Sequence, residues 1–289
     1  MRVFVTGAGG HIGSAVVPEL IQAGHEVVGL ARSDSSAAAV KAMGAEVRRG
    51  DLLDPDGLGE AAADADAVVH LAFDHAAMAA GDFAGAVATD LAVVEAFGRA
   101  LAGTGKTLIG IGLTRRDAAV EANPRSAVSR AVAGFAEQGV RSILVAVPTV
   151  THSTLDRHGF IPTLIRFARA TGVSGYVGDG ANRWPAGHTL DVARLFRLGL
   201  EKAPAGAQLS AAAEEGIPLR EIAEAIGRRL DLPAVSIPAD RAADHFKNFP
   251  FVTMDVTLPN AETRELLDWE PAHPGLIADL EGDHYFTEG

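Results

Sequence analysis

Cysteine is absent from the 289 residues. Without thiols there is no disulfide, no thiolate nucleophile, no iron–sulfur cluster and no cysteine zinc site. Tyrosine and tryptophan occur twice each, and lysine only at positions 41, 106, 202 and 247. Positive charge is scarce: 25 Lys and Arg stand against 37 Asp and Glu, a formal net charge of −12. A phosphate-binding surface needs the opposite balance, so nucleic acid is excluded as a general partner. No apolar run approaches the roughly 20 residues of a membrane-spanning helix. The opening MRVFVTGAGG breaks into glycine too soon for a secretory leader. The expectation is a cytoplasmic protein with no membrane contact. Its ten histidines include no HExxH or comparable ligand spacing, so no metal is expected.

What is present is an ordinary globular composition, 48% hydrophobic and 21% charged, with 32 glycines that cluster. The first half alternates between β-branched apolar runs and segments with apolar residues at helical spacing. Strands are expected at Arg2–Thr6, His25–Leu30, Ala45–Arg49, Ala67–Ala72, Thr107–Ile111 and Ser142–Val147. Helices are expected between them, at Ile12–Ala23, Ser35–Met43, Pro55–Ala63, Asp82–Leu101 and Ser126–Gln138. That alternation specifies an α/β fold, a doubly wound parallel sheet of Rossmann type. After about Thr149 the rhythm fails. Helices are expected at Gly159–Thr171, Thr189–Lys202, Pro218–Leu230 and Asn260–Leu267, with a short strand at Leu209–Ala212. The division expected is residues 1–150 as a dinucleotide-binding domain and 151–289 as a smaller, mixed substrate-binding part. The second part is expected to interleave with the first and share its cleft. Its aromatics (Phe160, Phe167, Trp184, Phe246, Phe249 and Phe251) suit either a core or the wall of an apolar pocket. The stretch His245–Phe251 is the candidate lid.

The glycines after the first strand carry the function. In Thr6-Gly7-Ala8-Gly9-Gly10-His11-Ile12-Gly13, Gly7 permits a tight turn and Gly10 a close backbone approach. Gly13 allows the helix to pack on the strand. The helix N-terminus then presents free N–H groups to a pyrophosphate. Gly7, Gly10, His11, Ile12 and Gly13 are therefore candidate cofactor contacts. The second strand ends at Arg32-Ser33, where Arg suits a 2′-phosphate and an acidic residue would suit a free ribose. NADP is expected ahead of NAD. Asp34 beside them could reverse that order, and Arg32 could instead be an ordinary solvated loop residue.

These residues resemble the short-chain dehydrogenase/reductase superfamily in its extended or atypical, epimerase/dehydratase-like branch. TGxxGxxG is that branch's spacing, here Thr6, Gly7, Gly10 and Gly13. The resemblance implies that Asp51-Leu52 contacts adenine and Leu71-Ala72-Phe73 the cofactor ribose. It also places Pro148 near the nicotinamide. The superfamily's Tyr-x-x-x-Lys is missing: Ala37, Ala102, Leu198 and Ala243 stand four residues before the four lysines. By analogy Arg130 takes the Lys position, with Ser126 and Ser129 nearby, as hydroxyl donors or helix starters. Replacement chemistry is sought in Asp74-His75 past the fourth strand and in Thr114 past the fifth. Asp74 would orient the imidazole. His152, His188 and Tyr176 are further candidates on the substrate side, though packing is the plainer role for each histidine. The expected function is NADP-dependent hydride transfer to or from a carbonyl or alcohol of a small, partly apolar molecule, by a monomer or homodimer. A non-redox isomerase, cyclase or lyase using His/Asp acid–base chemistry is one alternative, and an NADP(H)-sensing regulatory protein another.

Overall fold

The computed structural model describes residues 1–114 and 122–287. Its strands are β1 Arg2–Thr6, β2 Glu26–Ala31, β3 Glu46–Arg49, β4 Ala67–His70, β5 Thr107–Ile111, β6 Arg141–Ala146, β7 Val150–His152, β8 Ser174–Val177, β9 Arg183–His188, β10 Gln208–Ser210, β11 Glu214–Pro218 and β12 Ala234–Ile237. Seven of them form one sheet in the order β10-β6-β5-β4-β1-β2-β3. Every pairing in it is parallel. The chain runs outward from β1 to β3, then returns to β4 on β1's other side. That reversal leaves a crevice beyond the C-terminal ends of β1 and β4, where ligands of such sheets bind.

Local chemistry explains the elements that flank this crevice. The helix Phe83–Leu101 starts at Asp82, whose carboxylate accepts the Gly85 N–H at 2.8 Å. Its buried residues recur at helical spacing: Val87, Asp90, Val94, Phe97 and Leu101. Phe97 meets Phe4 edge-on at 6.2 Å, and both belong to the core of this unit. Fully burying such a ring stabilises by about 2–3 kcal/mol. Gly98 is forced by packing, because a Cβ there would lie 2.1 Å from the Phe135 ring.

The compact units are discontinuous in sequence. The first comprises residues 1–147, 192–210 and 261–269, and the second residues 148–191, 211–260 and 270–289. The division expected from sequence is residues 1–150 and 151–289, with the second part interleaved with the first. The second unit contains a three-stranded sheet, β11-β9-β7, and the parallel pair β12-β8. Of these strands the sequence pattern had predicted none. They are short, and RWPAGH and EEGIP carry Gly and Pro where a strand pattern needs β-branched residues. The aromatic group of this unit is core: Phe160 lies 4.7 Å from Phe251 and 5.0 Å from Phe249, against a fully buried Trp184. The segment expected to be a lid contributes Phe246, at 1% exposure, to the same core. No described helix is long and apolar enough to cross a membrane.

Candidate functional site

β1 ends on Thr6, and the chain turns at Gly7 with φ +65°, a left-handed conformation that favours glycine. A Cβ on Gly7 would also strike the Ala72 backbone nitrogen at 2.8 Å. The turn closes with the Gly10 N–H donating to the Gly7 carbonyl at 2.9 Å. Gly13 then opens the helix Gly13–Gln22, and its Cβ would lie 2.1 Å from the Gly7 carbonyl oxygen. No side chain caps this helix. The Ser14, Ala15 and Val16 N–H groups donate back to the Gly10 and Ile12 carbonyls, and the helix start is the positive end of its dipole, suited to phosphate.

A cleft of about 360 Å³ opens over this turn. Gly7, Gly10, Arg32, Ser33, Asp51, Leu52, Ala72, Phe73, Asp74 and His75 all line it. Ten candidates read from separate stretches of sequence thus meet in one cavity. His11, Ile12 and Gly13 continue the turn into the helix without lining it. Leu71 is tied to the turn instead, its N–H donating to Thr6 Oγ1 at 3.2 Å. Thr114 is half-buried past the end of β5, and Pro148 opens the second unit.

The edge that would face a ribose has a definite electrostatic pattern. Ser33 caps the helix Asp34–Ala42, its hydroxyl accepting from the Ser36 N–H, and Ser36 reciprocates. Arg32 is exposed, its Nε 3.8 Å from the Asp51 carboxylate. Asp34, the residue that could have favoured a free 2′-OH, is paired with Arg49.

Asp74 and His75 share the cleft but are not hydrogen-bonded to one another. Asp74 caps the short helix His75–Ala79, accepting from the Ala76 and Ala77 N–H groups at 3.1 and 3.0 Å. Both cap bonds fall on Asp74 Oδ1. Desolvation and the Arg125 guanidinium lower the His75 pKa, and Asp74 opposes them. The helix Ser126–Gly134 begins at Ser126, with Arg125 at its N-cap and no side-chain capping bond. Ser129 instead latches the loop after β5, accepting the Leu113 N–H at 2.8 Å and donating to the Arg125 carbonyl. Arg130 donates to the Ser126 hydroxyl at 3.1 Å.

Beneath the cleft lies a network that the sequence reading missed. Thr6 Oγ1 accepts the Leu71 and Ala72 N–H groups, so its own proton goes to His70 Nδ1 at 2.7 Å. His70 Nε2–H then donates to Asp90 Oδ1 at 2.9 Å. The other Asp90 oxygen lies 3.5 Å from Arg125, whose guanidinium sits 4.7 Å over the Phe73 ring. Burial lowers the Arg125 pKa despite Asp90. The sequence did carry one signal: Asp90 stands on the apolar stripe of its helix, where an unpaired carboxylate would be costly.

In the second unit, His152 is fully buried and its Nδ1 lies 2.8 Å from Asp279. Burial works against the Asp279 charge, but the bond from His152 and nearby imidazoles hold its carboxyl below the ordinary value. His188 stacks on His273 at 4.5 Å, and burial, His152 and His273 push its pKa down to about 4. Tyr176 lies in β8 with the Arg220 guanidinium 5.7 Å from its ring. Tyr285 donates to Asp156 at 3.0 Å, and burial with that carboxylate drives its pKa up.

Residues 3–97 match the model of the NAD dependent epimerase/dehydratase family. An uncharacterized protein of Schizosaccharomyces pombe is 41% identical over 302 residues, 99% of this chain and 100% of the relative. An uncharacterized protein of Saccharomyces cerevisiae is 38% identical over 299 residues, 98% of this chain and 99% of the relative. Among solved structures, dTDP-glucose 4,6-dehydratase from Streptomyces venezuelae with NAD bound superposes with a TM-score of 0.75. The match covers 97% of this chain and 96% of that one at 18% identity, a likeness of fold.

Proposed function

We propose that the chain, whose residues 3–97 match the NAD dependent epimerase/dehydratase family, is a member of that family and an NADP-dependent oxidoreductase acting on a carbonyl or alcohol of a small, partly apolar molecule. The observation that carries the reading is the single cleft uniting the glycine turn, Arg32-Ser33, Asp51-Leu52 and Ala72-Phe73. The residues present suit a dinucleotide: the turn excludes side chains at Gly7 and Gly13, and the helix start presents the positive end of its dipole. When bound, the nicotinamide would supply or accept the hydride.

The chain's own groups then divide the remaining work. The glycine turn and the positive start of the helix Gly13–Gln22 would hold the pyrophosphate. Arg32 and the start of the helix Asp34–Ala42 would take the 2′-phosphate, because Arg49 offsets the Asp34 charge that would repel it. Asp51 and Leu52 would bound the adenine, with Leu71, Ala72 and Phe73 beside the ribose and Pro148 toward the nicotinamide. His75, its pKa lowered, would hold a lone pair near neutral pH and exchange the substrate's proton. Thr114 would position the substrate oxygen.

Fluorescence titration with NADPH and NADH tests the reading. Wild type should prefer NADPH, and Arg32→Ala should weaken NADPH by about 10- to 100-fold, the worth of a charge-assisted hydrogen bond. NADH should be little affected. Equal affinities in wild type, or an unchanged variant, would overturn the NADP assignment. One sequence observation favours a second reading: no tyrosine precedes any lysine by four residues. A non-redox isomerase or lyase would convert substrate with no net change in NADPH absorbance. NADPH consumption with a panel of carbonyl compounds separates the two.

A further inference from the structure

We propose that His188, Asp191 and His273 form a binding site for a divalent transition-metal ion in the second unit. One ligand atom from each lies within 4.8 Å of the others. His188 ends β9, Asp191 stands three residues on in the helix Thr189–Lys202, and His273 arrives from 82 residues further along. That separation is why no ligand spacing is visible in the sequence. None of the three lines the dinucleotide cleft.

The site is held in place by the protein itself. β7 and β9 pair with His152 opposite His188, which fixes the strand that carries the first ligand. Asp191, 1% exposed, accepts the Ala272 and His273 N–H groups at 2.9 and 3.1 Å. Those two bonds clamp the 272–273 loop to the start of the helix and set His273 parallel to His188, with 6° between ring planes. His273 Nδ1 lies 2.9 Å from Asp191 Oδ1. A metal entering here would displace the proton shared in that bond, as metal ions do when they take imidazole and carboxylate ligands.

The donor set defines the class of ion. Two imidazoles with one carboxylate suit zinc, cobalt, nickel or copper, whereas magnesium and calcium favour all-oxygen sites. Three protein ligands leave at least one position for water. A buried imidazole nitrogen with no partner belongs to a ring that packs against the first ligand. His152 Nδ1 is taken up by Asp279, and its Nε2 is buried with no hydrogen-bond partner. That ring packs edge-on against His188 at 5.5 Å. Partners of this kind commonly tune a metal's bound water. The His273 side chain is 37% exposed, which gives an ion a route from solvent.

The test uses the untagged full chain, stripped with EDTA and dialysed. Co²⁺ is titrated by visible absorption and Zn²⁺ by calorimetry. One equivalent of Co²⁺ should give the intense bands of low coordination, and equimolar Zn²⁺ should abolish them. His273→Ala alters a partly exposed side chain, so the fold should persist by circular dichroism while Co²⁺ affinity falls by about 10- to 100-fold or more. His188→Gln should act in the same direction. Two results would overturn the site: no saturable uptake of either ion up to ~1 mM, or undiminished Co²⁺ affinity in folded His273→Ala.

Discussion

Gly13→Ala tests the geometry on which the dinucleotide reading depends. An added Cβ would stand 2.1 Å from the Gly7 carbonyl oxygen and 2.7 Å from that of Ala8, where ordinary contact begins near 3.4 Å. Both obstacles are backbone, so no side chain can swing aside. The Gly7 carbonyl must recede by about 1 Å, and it is the acceptor that closes the turn onto the Gly10 N–H. Overpacking of this kind costs about 1–3 kcal/mol. Losing the turn's hydrogen bond adds about 1 kcal/mol. Alanine's better helix propensity returns up to about 1 kcal/mol. The expected net loss is about 1–4 kcal/mol, a large share of the roughly 5–15 kcal/mol that stabilises such a chain. Urea denaturation measures it, and NADPH titration of the still-folded variant should show at least a tenfold loss. Gly9→Ala is the internal control: its Cβ would have no neighbour closer than 3.8 Å, so stability should change by less than about 0.5 kcal/mol. A Gly13→Ala protein as stable as Gly9→Ala, with NADPH affinity intact, would refute the argument that this turn is sterically set to hold a diphosphate.

Two further outcomes follow from the buried polar groups. Asp90→Ala removes the acceptor of His70 Nε2–H and the carboxylate facing Arg125. A loss of about 3–5 kcal/mol in urea unfolding is expected, as for other broken buried pairs, and a change under 1 kcal/mol would mean the network adds little. In metal-free protein, His188 protonates near pH 4 when folded but near 6.5 when unfolded. The unfolded chain therefore binds more protons between those values, and stability must fall as pH drops through that window. The slope is at most about 1.4 kcal/mol per pH unit for one group. Asp279 extends the loss below its unfolded value of 3.8, since its folded carboxyl is held lower. Urea midpoints from neutral pH down to 4 should show the decline, and His188→Gln should flatten it; a flat wild-type profile would contradict the assignment.

Local pattern alone determined the architecture of the first unit and most of its cleft. β-branched runs separated by helical periodicity specify a parallel sheet whatever the distant residues are, and Gly7, Gly10 and Gly13 announce their turn within eight positions. Local pattern also placed Arg32, and the family resemblance placed Asp51 and Phe73; all three line one cleft because strand ends in such a sheet converge on one edge. Contacts made across long stretches of chain left no such trace. Whether Asp34 repels a phosphate depends on Arg49, which reaches it from the end of β3. Asp74 reads as a partner for His75 and also caps a helix through one carboxylate oxygen, which accepts the Ala76 and Ala77 N–H groups. The Thr6–His70–Asp90 chain and the His188–Asp191–His273 cluster join residues between 64 and 82 positions apart at their widest links. Only folding brings those groups into one low-dielectric neighbourhood, and it is that neighbourhood, not the residue types, that fixes which nitrogen carries a proton and which carboxylate is already occupied.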